Sequence, residues 1–167
     1  MALCSLVLFA AGCGGGREYA LPEDLCGVPV GGEELSPLLP DGETLEVVGD
    51  PLTVNGSTCE VSVDDHWAVS VQVEKVEKFY DPMGKLDSFR FTNRKKISAL
   101  PFDGAGATGD RNVMISARCE APDADHAIVF VTVPDKTGSD VDRRRADMEK
   151  FAAAFVPAVK KEMACTA

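Results

Sequence analysis

"CEVSVDDHWAVSVQVE", Cys59 to Glu74, is the stretch that decides the fold. Its first part alternates Cys59, Val61 and Val63 with Glu60, Ser62 and Asp64. Its second part alternates Trp67, Val69, Val71 and Val73 with Ala68, Ser70, Gln72 and Glu74. Such alternation has the two-residue period of a β-strand with one face buried. Two of these strands in succession predict an antiparallel hairpin. For both apolar sets to share a face, Val63 must sit opposite Trp67, which makes Asp64-Asp65-His66 the turn. A two-residue turn would swing one set into solvent.

The same pattern recurs downstream. Val113, Ile115, Ala117 and Cys119 form one alternating set, and Ala127, Val129, Val131 and Val133 another. Parity pairs Ala117 with Val129 around a turn at Ala121 to Asp125. Met114, Ile128 and Phe130 make the opposite face partly apolar, so something must cover it. Glu43–Val48 and Ile97–Leu100 are expected to add shorter strands. Leu21–Gly42 holds four prolines, which leaves room only for short helical turns around Glu33 to Leu39.

The C-terminal segment reads as a helix. Ser139 is the expected N-cap, with Asp142 three residues on completing a capping-box-like pair. Asp140 and Asp142 suit the positive end of the helix dipole, and Lys160 and Lys161 the negative end. Met148, Ala152, Phe155, Val159 and Met163 recur at three- and four-residue steps and make one apolar stripe, with Pro157 expected to kink the helix. The predicted class is α+β: a mostly antiparallel sheet built from hairpins, with the C-terminal helix packed on one face.

Composition bounds the function. The chain has 167 residues, 45% of them hydrophobic and 26% charged, with a net charge of -10. From Cys13 to Asp65 there are twelve Asp/Glu against the single Arg17; from His66 onward fifteen acids meet sixteen bases. A nucleic-acid partner would demand a basic face, and the acidic first half argues against one. No apolar stretch reaches the roughly 18 residues of a membrane-spanning helix.

The N-terminus carries the clearest functional signal. Ala2–Ala11 is a ten-residue apolar run followed by Gly12 and Cys13, then Gly14, Gly15 and Gly16. A run of that length suits the core of a signal peptide. The step Ala10-Ala11-Gly12-Cys13 resembles the lipobox of bacterial lipoproteins. That resemblance implies diacylglycerol on Cys13, removal of residues 1–12, and a membrane partner engaged through the lipid. No Lys or Arg precedes the apolar run, so the signal is expected to begin upstream of Met1. Residues 13–20 then form a glycine-rich tether, and residues 21–167 a single extracytoplasmic domain at the cell membrane.

Cys4 leaves with the signal, and Cys13 would carry lipid. Cys26, Cys59, Cys119 and Cys165 remain, an even set suited to an oxidising compartment. Three connectivities are possible. Cys119 shares parity with the buried strand residues, and Cys165 ends the helix that packs on them. This favours Cys119–Cys165, with Cys26–Cys59 tying the proline-rich segment to the first hairpin. The lipobox, tether and four cysteines together resemble small exported lipoproteins of high-GC Gram-positive bacteria.

Motifs for chemistry are sparse. Gly104 to Gly109 spells G-x-G-x-x-G, yet a strand pattern follows it where a dinucleotide site needs a helix, so a flexible loop and no cofactor are expected. Both histidines sit beside aspartates at hairpin ends, Asp65-His66 and Asp125-His126, a workable donor set for a divalent metal if the turns meet. Turn chemistry explains the same residues, because Asp and His tolerate left-handed backbone. Arg143-Arg144-Arg145 reads as a solvated helix face, with Asp140–Arg144 and Arg145–Glu149 pairs. No nucleophile elbow and no catalytic triad is present. A non-catalytic binding module is the favoured reading. An exported metal-assisted enzyme and a carrier of an apolar ligand are the alternatives.

Overall fold

The computed structural model describes residues 16–135, 137–138 and 140–166. The signal segment 1–12, Cys13, the first tether glycines and Ser139 lie outside the described residues. Seven strands form one antiparallel sheet: β3 (Leu45–Gly49), β4 (Ser57–Val63), β5 (His66–Val76), β6 (Lys95–Lys96), β7 (Gly104–Thr108), β8 (Asn112–Ala121) and β9 (Ala124–Thr132). Their order across the sheet is β3-β4-β5-β9-β8-β7-β6. The chain therefore leaves β5 at the middle of the sheet, reaches the far edge as β6, and works back inward.

One face of the sheet is the core. It packs against the long helix α2 (Val141–Glu162) and against an N-terminal cap. That cap is the two-stranded hairpin β1 (Asp24–Leu25) and β2 (Val28–Pro29), the turn of helix α1 (Gly32–Leu35) and a 3-10 turn at Ser36–Leu38. The α+β class, the hairpins and the C-terminal helix on one face are as the sequence patterns predict. Met148, Ala152, Phe155, Val159 and Met163 are all buried, and Phe151 and Val156 widen their stripe. The helix runs on through Pro157.

The register of the first hairpin differs from the parity argument. Val63 pairs with His66, and only Asp64 and Asp65 form the turn. Both aspartates adopt left-handed backbone, φ 49° and 61°, which is the geometry whose twist suits a two-residue hairpin. The phase is restored by a bulge beyond Val61, where Val69 is the partner of Val61 and Trp67 the partner of Ser62. Ala68 and Val69 are both buried as a result, and Trp67 leaves the core set, 40% exposed.

The second hairpin shows the same device. Ala117 pairs with Ala127 and Ile115 with Val129, two residues from the expected register but with the same faces buried. Pro122 and Asp123 alone make the turn between Ala121 and Ala124, and a bulge between Arg118 and Ala121 holds left-handed Glu120 at φ 55°. Strands thus extend further toward each turn than alternation alone implies.

Three further expectations change. Gly104–Gly109 is no loop, because Gly104–Thr108 is strand β7, paired on both sides. Small residues carry no alternating signature, but a Cβ on Gly106 would stand 2.8 Å from Ile97 Cδ1, so the bare backbone lets Ile97 pack down. Ile97–Leu100 is not a strand; the pairing residues are Lys95 and Lys96, with the Ile97 N–H donating to the Gly106 carbonyl at 2.9 Å. The N-cap of α2 is Asp140, whose carboxylate accepts from the Arg143 N–H at 2.8 Å.

Both favoured disulfides are present. Cys26–Cys59 fastens the N-terminal hairpin to β4, and Cys119–Cys165 fastens β8 to the end of α2. Gly49 makes the first one possible. Its φ is +151°, and a Cβ there would lie 2.9 Å from Cys59 Cα and 3.1 Å from the Cys26 sulfur.

The opposite, open face carries a small second cluster of Met114, Ile128 and Phe130. Phe91, from the connection between β5 and β6, packs on it, and the Arg90 guanidinium lies 4.8 Å from the Phe130 ring centroid. That connection is the cover that the apolar residues of this face require.

Candidate functional site

The two histidine turns lie at opposite ends of the sheet. His66 begins β5, and His126 is the partner of Val76 at its other end. Ten strand steps of about 3.3 Å separate them, so roughly 30 Å lies between the imidazoles. They share no ion. His66 Nδ1 is 2.6 Å from the Asp64 carbonyl, and the His126 ring packs on Phe79 at 5.6 Å. Asp65 and Asp125 are exposed. Among the described residues no group of three or more His, Cys, Asp or Glu could hold a metal.

Asp64 is a structural clamp. The Thr44 N–H at 2.8 Å donates to its carboxylate, the Glu43 N–H adds another bond at 3.0 Å, and the Thr44 hydroxyl a third. The Thr44 N–H bond is the main reason that its pKa falls below the ordinary value, against some desolvation. A depressed carboxylate stabilises the fold at pH above its unfolded value of about 3.9, and the contribution disappears as pH falls through the lower folded value. Acid unfolding followed by circular dichroism should therefore show a steeper loss below about pH 4 in wild type than in Asp64→Asn.

The arginine run is likewise structural. Arg144 and Arg145 are buried, at 6% and 8% exposure, where a solvated face was expected. Arg144 Nε donates to the Asp110 carbonyl at 2.7 Å, and its Nη1 reaches the carbonyls of Asp135, Thr137 and Gly138 at 3.1, 3.1 and 3.3 Å. Arg145 bonds the Asp110 carboxylate and the Asn93 carbonyl. Five donors on a rigid plane let one guanidinium satisfy several loop carbonyls together, which a helix-pair reading of the sequence does not reveal.

Two of the surface clefts differ sharply in lining. The first lies on the open face, about 300 Å³, lined by Gln72, Arg90, Thr92, Arg111, Asn112, Phe130 and Thr132. Its two arginines are already paired, Arg90 with Asp87 at 3.0 Å and Arg111 with Asp135 at 3.1 Å. The second, about 310 Å³, is predominantly apolar and is lined by Pro37, Leu39, Pro40, His66, Trp67, Ala68, Pro134, Thr137 and Gly138. It sits beside the place where the chain enters the fold. Arg17 Nη2 donates to the carbonyls of Ser36 and Leu39 at 3.0 and 2.9 Å, and the Tyr19 hydroxyl to that of Pro40.

This second cleft has the composition of a binding site: a largely apolar concavity with one large aromatic and a few polar groups. No carboxylate lines it, and its single imidazole is engaged with a backbone carbonyl. Sequence reasoning placed Trp67 in the core and read Pro37 and Pro40 only as helix breakers. The signal available was the Asp-Asp pair, which favours a two-residue turn and so moves Trp67 off the core face.

Between the sheet and α2 there is no comparable space. Met148, Phe151, Val156 and Val159 of the helix and Val113, Ile115, Val129 and Val131 of the sheet are all 0% exposed, so no water-sized void touches them. The chain is an α+β protein whose candidate site is a surface cleft. Comparisons with known proteins return no match, whether to a family model, a curated protein or a solved structure.

Proposed function

We propose that this chain is a membrane-anchored extracytoplasmic lipoprotein whose folded domain is a non-catalytic binding module, with the Trp67 cleft as its binding site. The observation that carries the binding reading is that cleft: apolar, open to solvent, and free of converging acid–base groups. The anchor rests on the resemblance of Ala10–Cys13 to a lipobox. Two disulfides are compatible with an oxidising compartment. The joining of the tether at Arg17, beside the cleft, would hold the site near the bilayer.

Trp67 is the chain's sole tryptophan, so the cleft reports on itself. Titration with the amphiphilic fluorophore 1-anilinonaphthalene-8-sulfonate, whose aromatic rings seek apolar surface, should quench Trp67 emission by energy transfer, saturably. Leu39→Gln, at the cleft wall, should weaken that titration several-fold, since a buried aliphatic contact contributes about 1–2 kcal/mol. Trp67 emission unchanged by the dye, or an unaltered titration in the variant, would contradict the assignment.

A further inference from the structure

We propose that the outer edge of β3 accepts an extended basic segment of a partner protein, which pairs there as one more strand of the sheet. Where β3 meets β4, the Asp64 N–H donates to the Thr44 carbonyl at 3.1 Å, and the register carries the same exchange on to Glu46 with Ser62 and Val48 with Glu60. Leu45, Val47 and Gly49 therefore turn their N–H and C=O groups the other way, outward, where β3 ends the strand order. No strand or loop backbone among the described residues pairs with them there.

The two edges of the sheet are built differently. At the far edge β6 is only two residues long, and both are exposed lysines, the usual protection against a stray strand. β3 is five residues long, in unbroken register with β4, and carries neither lysine nor proline nor bulge. An edge of that kind is a template for main-chain pairing. Leu45 and Val47 are half-buried against the core, so the core itself comes to the surface along this edge.

Charge selects the partner. No Lys or Arg occurs from Glu18 to Glu74, a span that includes β3, β4 and nearly all of β5. Asp41, Glu43, Glu46 and Asp50 are exposed on or beside β3, and Glu60 is exposed on β4. Among the described residues no cation pairs with any of the five. Such an edge repels a second copy of itself and attracts a basic chain.

Side chains of an added strand alternate between the two faces of the sheet. Those on the open face would stand beside Glu46 and Val48, with Glu60 one strand further in, and there Lys or Arg is favoured. Those on the other face would continue the row of Leu45 and Val47, where Val, Ile or Leu is favoured. The occupant is thus a segment of alternating basic and aliphatic residues. It needs neither the Trp67 cleft nor an anchor at Cys13.

The test titrates the purified full chain into a fluorescently labelled, end-capped peptide of alternating lysine and valine, and into its glutamate–valine counterpart. Anisotropy should report saturable binding of the lysine peptide, weakened by salt, and no binding of the glutamate peptide. Amide hydrogen exchange at Leu45 and Val47 should slow in the complex, an effect that charge attraction without strand pairing would not produce. Glu46→Lys/Glu60→Lys should lower the affinity about tenfold and leave the fold intact, since both side chains are exposed. Val47→Pro removes an outward N–H that the sheet does not use and should also weaken binding. Equal binding of the two peptides, no binding of either, unchanged exchange at Leu45 and Val47, or a charge-reversed variant that binds like wild type would overturn the proposal. A wild-type dimer that Val47→Pro dissociates would assign the edge to a second copy and overturn it too.

Discussion

Paired replacement of Cys119 and Cys165 by alanine is expected to lower the stability of the fold by about 4 kcal/mol, from the chain entropy of the closed loop. The bridge spans 46 residues of sequence and includes all of β9 and α2. It links a fully buried position on β8 to the turn that ends the helix, where the Thr166 N–H also donates to the Cys119 carbonyl at 2.9 Å. Losing it removes the only covalent tie among the described residues between the sheet and α2. Urea unfolding should show a lower midpoint, and wild-type protein with both bridges reduced a lower one still, since it also loses Cys26–Cys59. A midpoint within experimental error of the oxidised protein would mean that packing alone holds the helix down.

Arg144→Ala should be the most damaging substitution within the arginine run of α2. Truncation removes a buried guanidinium that four carbonyls of two different loops share. Buried acceptors left without donors cost about 1–3 kcal/mol each when water cannot reach them. Some will be hydrated, so a total of about 3 kcal/mol is expected. Arg144→Lys should recover little, because a single ammonium cannot match the planar spread of donors. Substitution of exposed Arg143, whose pair with Asp147 is 3.9 Å long, should change stability by less than about 0.5 kcal/mol. Thermal unfolding of the three variants in parallel separates a clasp from a charged face: equal effects at 143 and 144 would exclude the clasp.

What the sequence reveals of this fold follows from which physical signals are local. Alternation from Cys59 to Glu74 and from Val113 to Val133 fixes strands and their buried faces, because one sheet face must leave water. The same parity links Cys119 to Cys165, since a buried strand position and a helix end that packs on it meet by geometry. Register is less local. Asp64 and Glu120 adopt left-handed backbone that shortens each turn, and a bulge absorbs the extra residue, so the face survives while the pairing shifts. Strand β7 escapes notice because glycine and alanine have no hydrophobic period to read.

The candidate site is less legible still. Trp67 belongs by alternation to the core and is released to the cleft rim only by the bulge at Ala68. Its neighbours Pro37, Pro40 and Pro134 come from segments whose meeting no local pattern encodes. Arg144 and Arg145 resemble every other surface charge run until the loops at Asp110 and Asp135 close over them.

The proposed anchor is tested most directly by the intact mass of the protein extracted from membranes, recorded before and after reduction. The account predicts a chain that begins at Cys13, carries the added mass of a diacylglyceryl group there, and gains four hydrogens when the two bridges open. A polypeptide that retains Met1, with Cys13 unmodified and a mass indifferent to reductant, would contradict it.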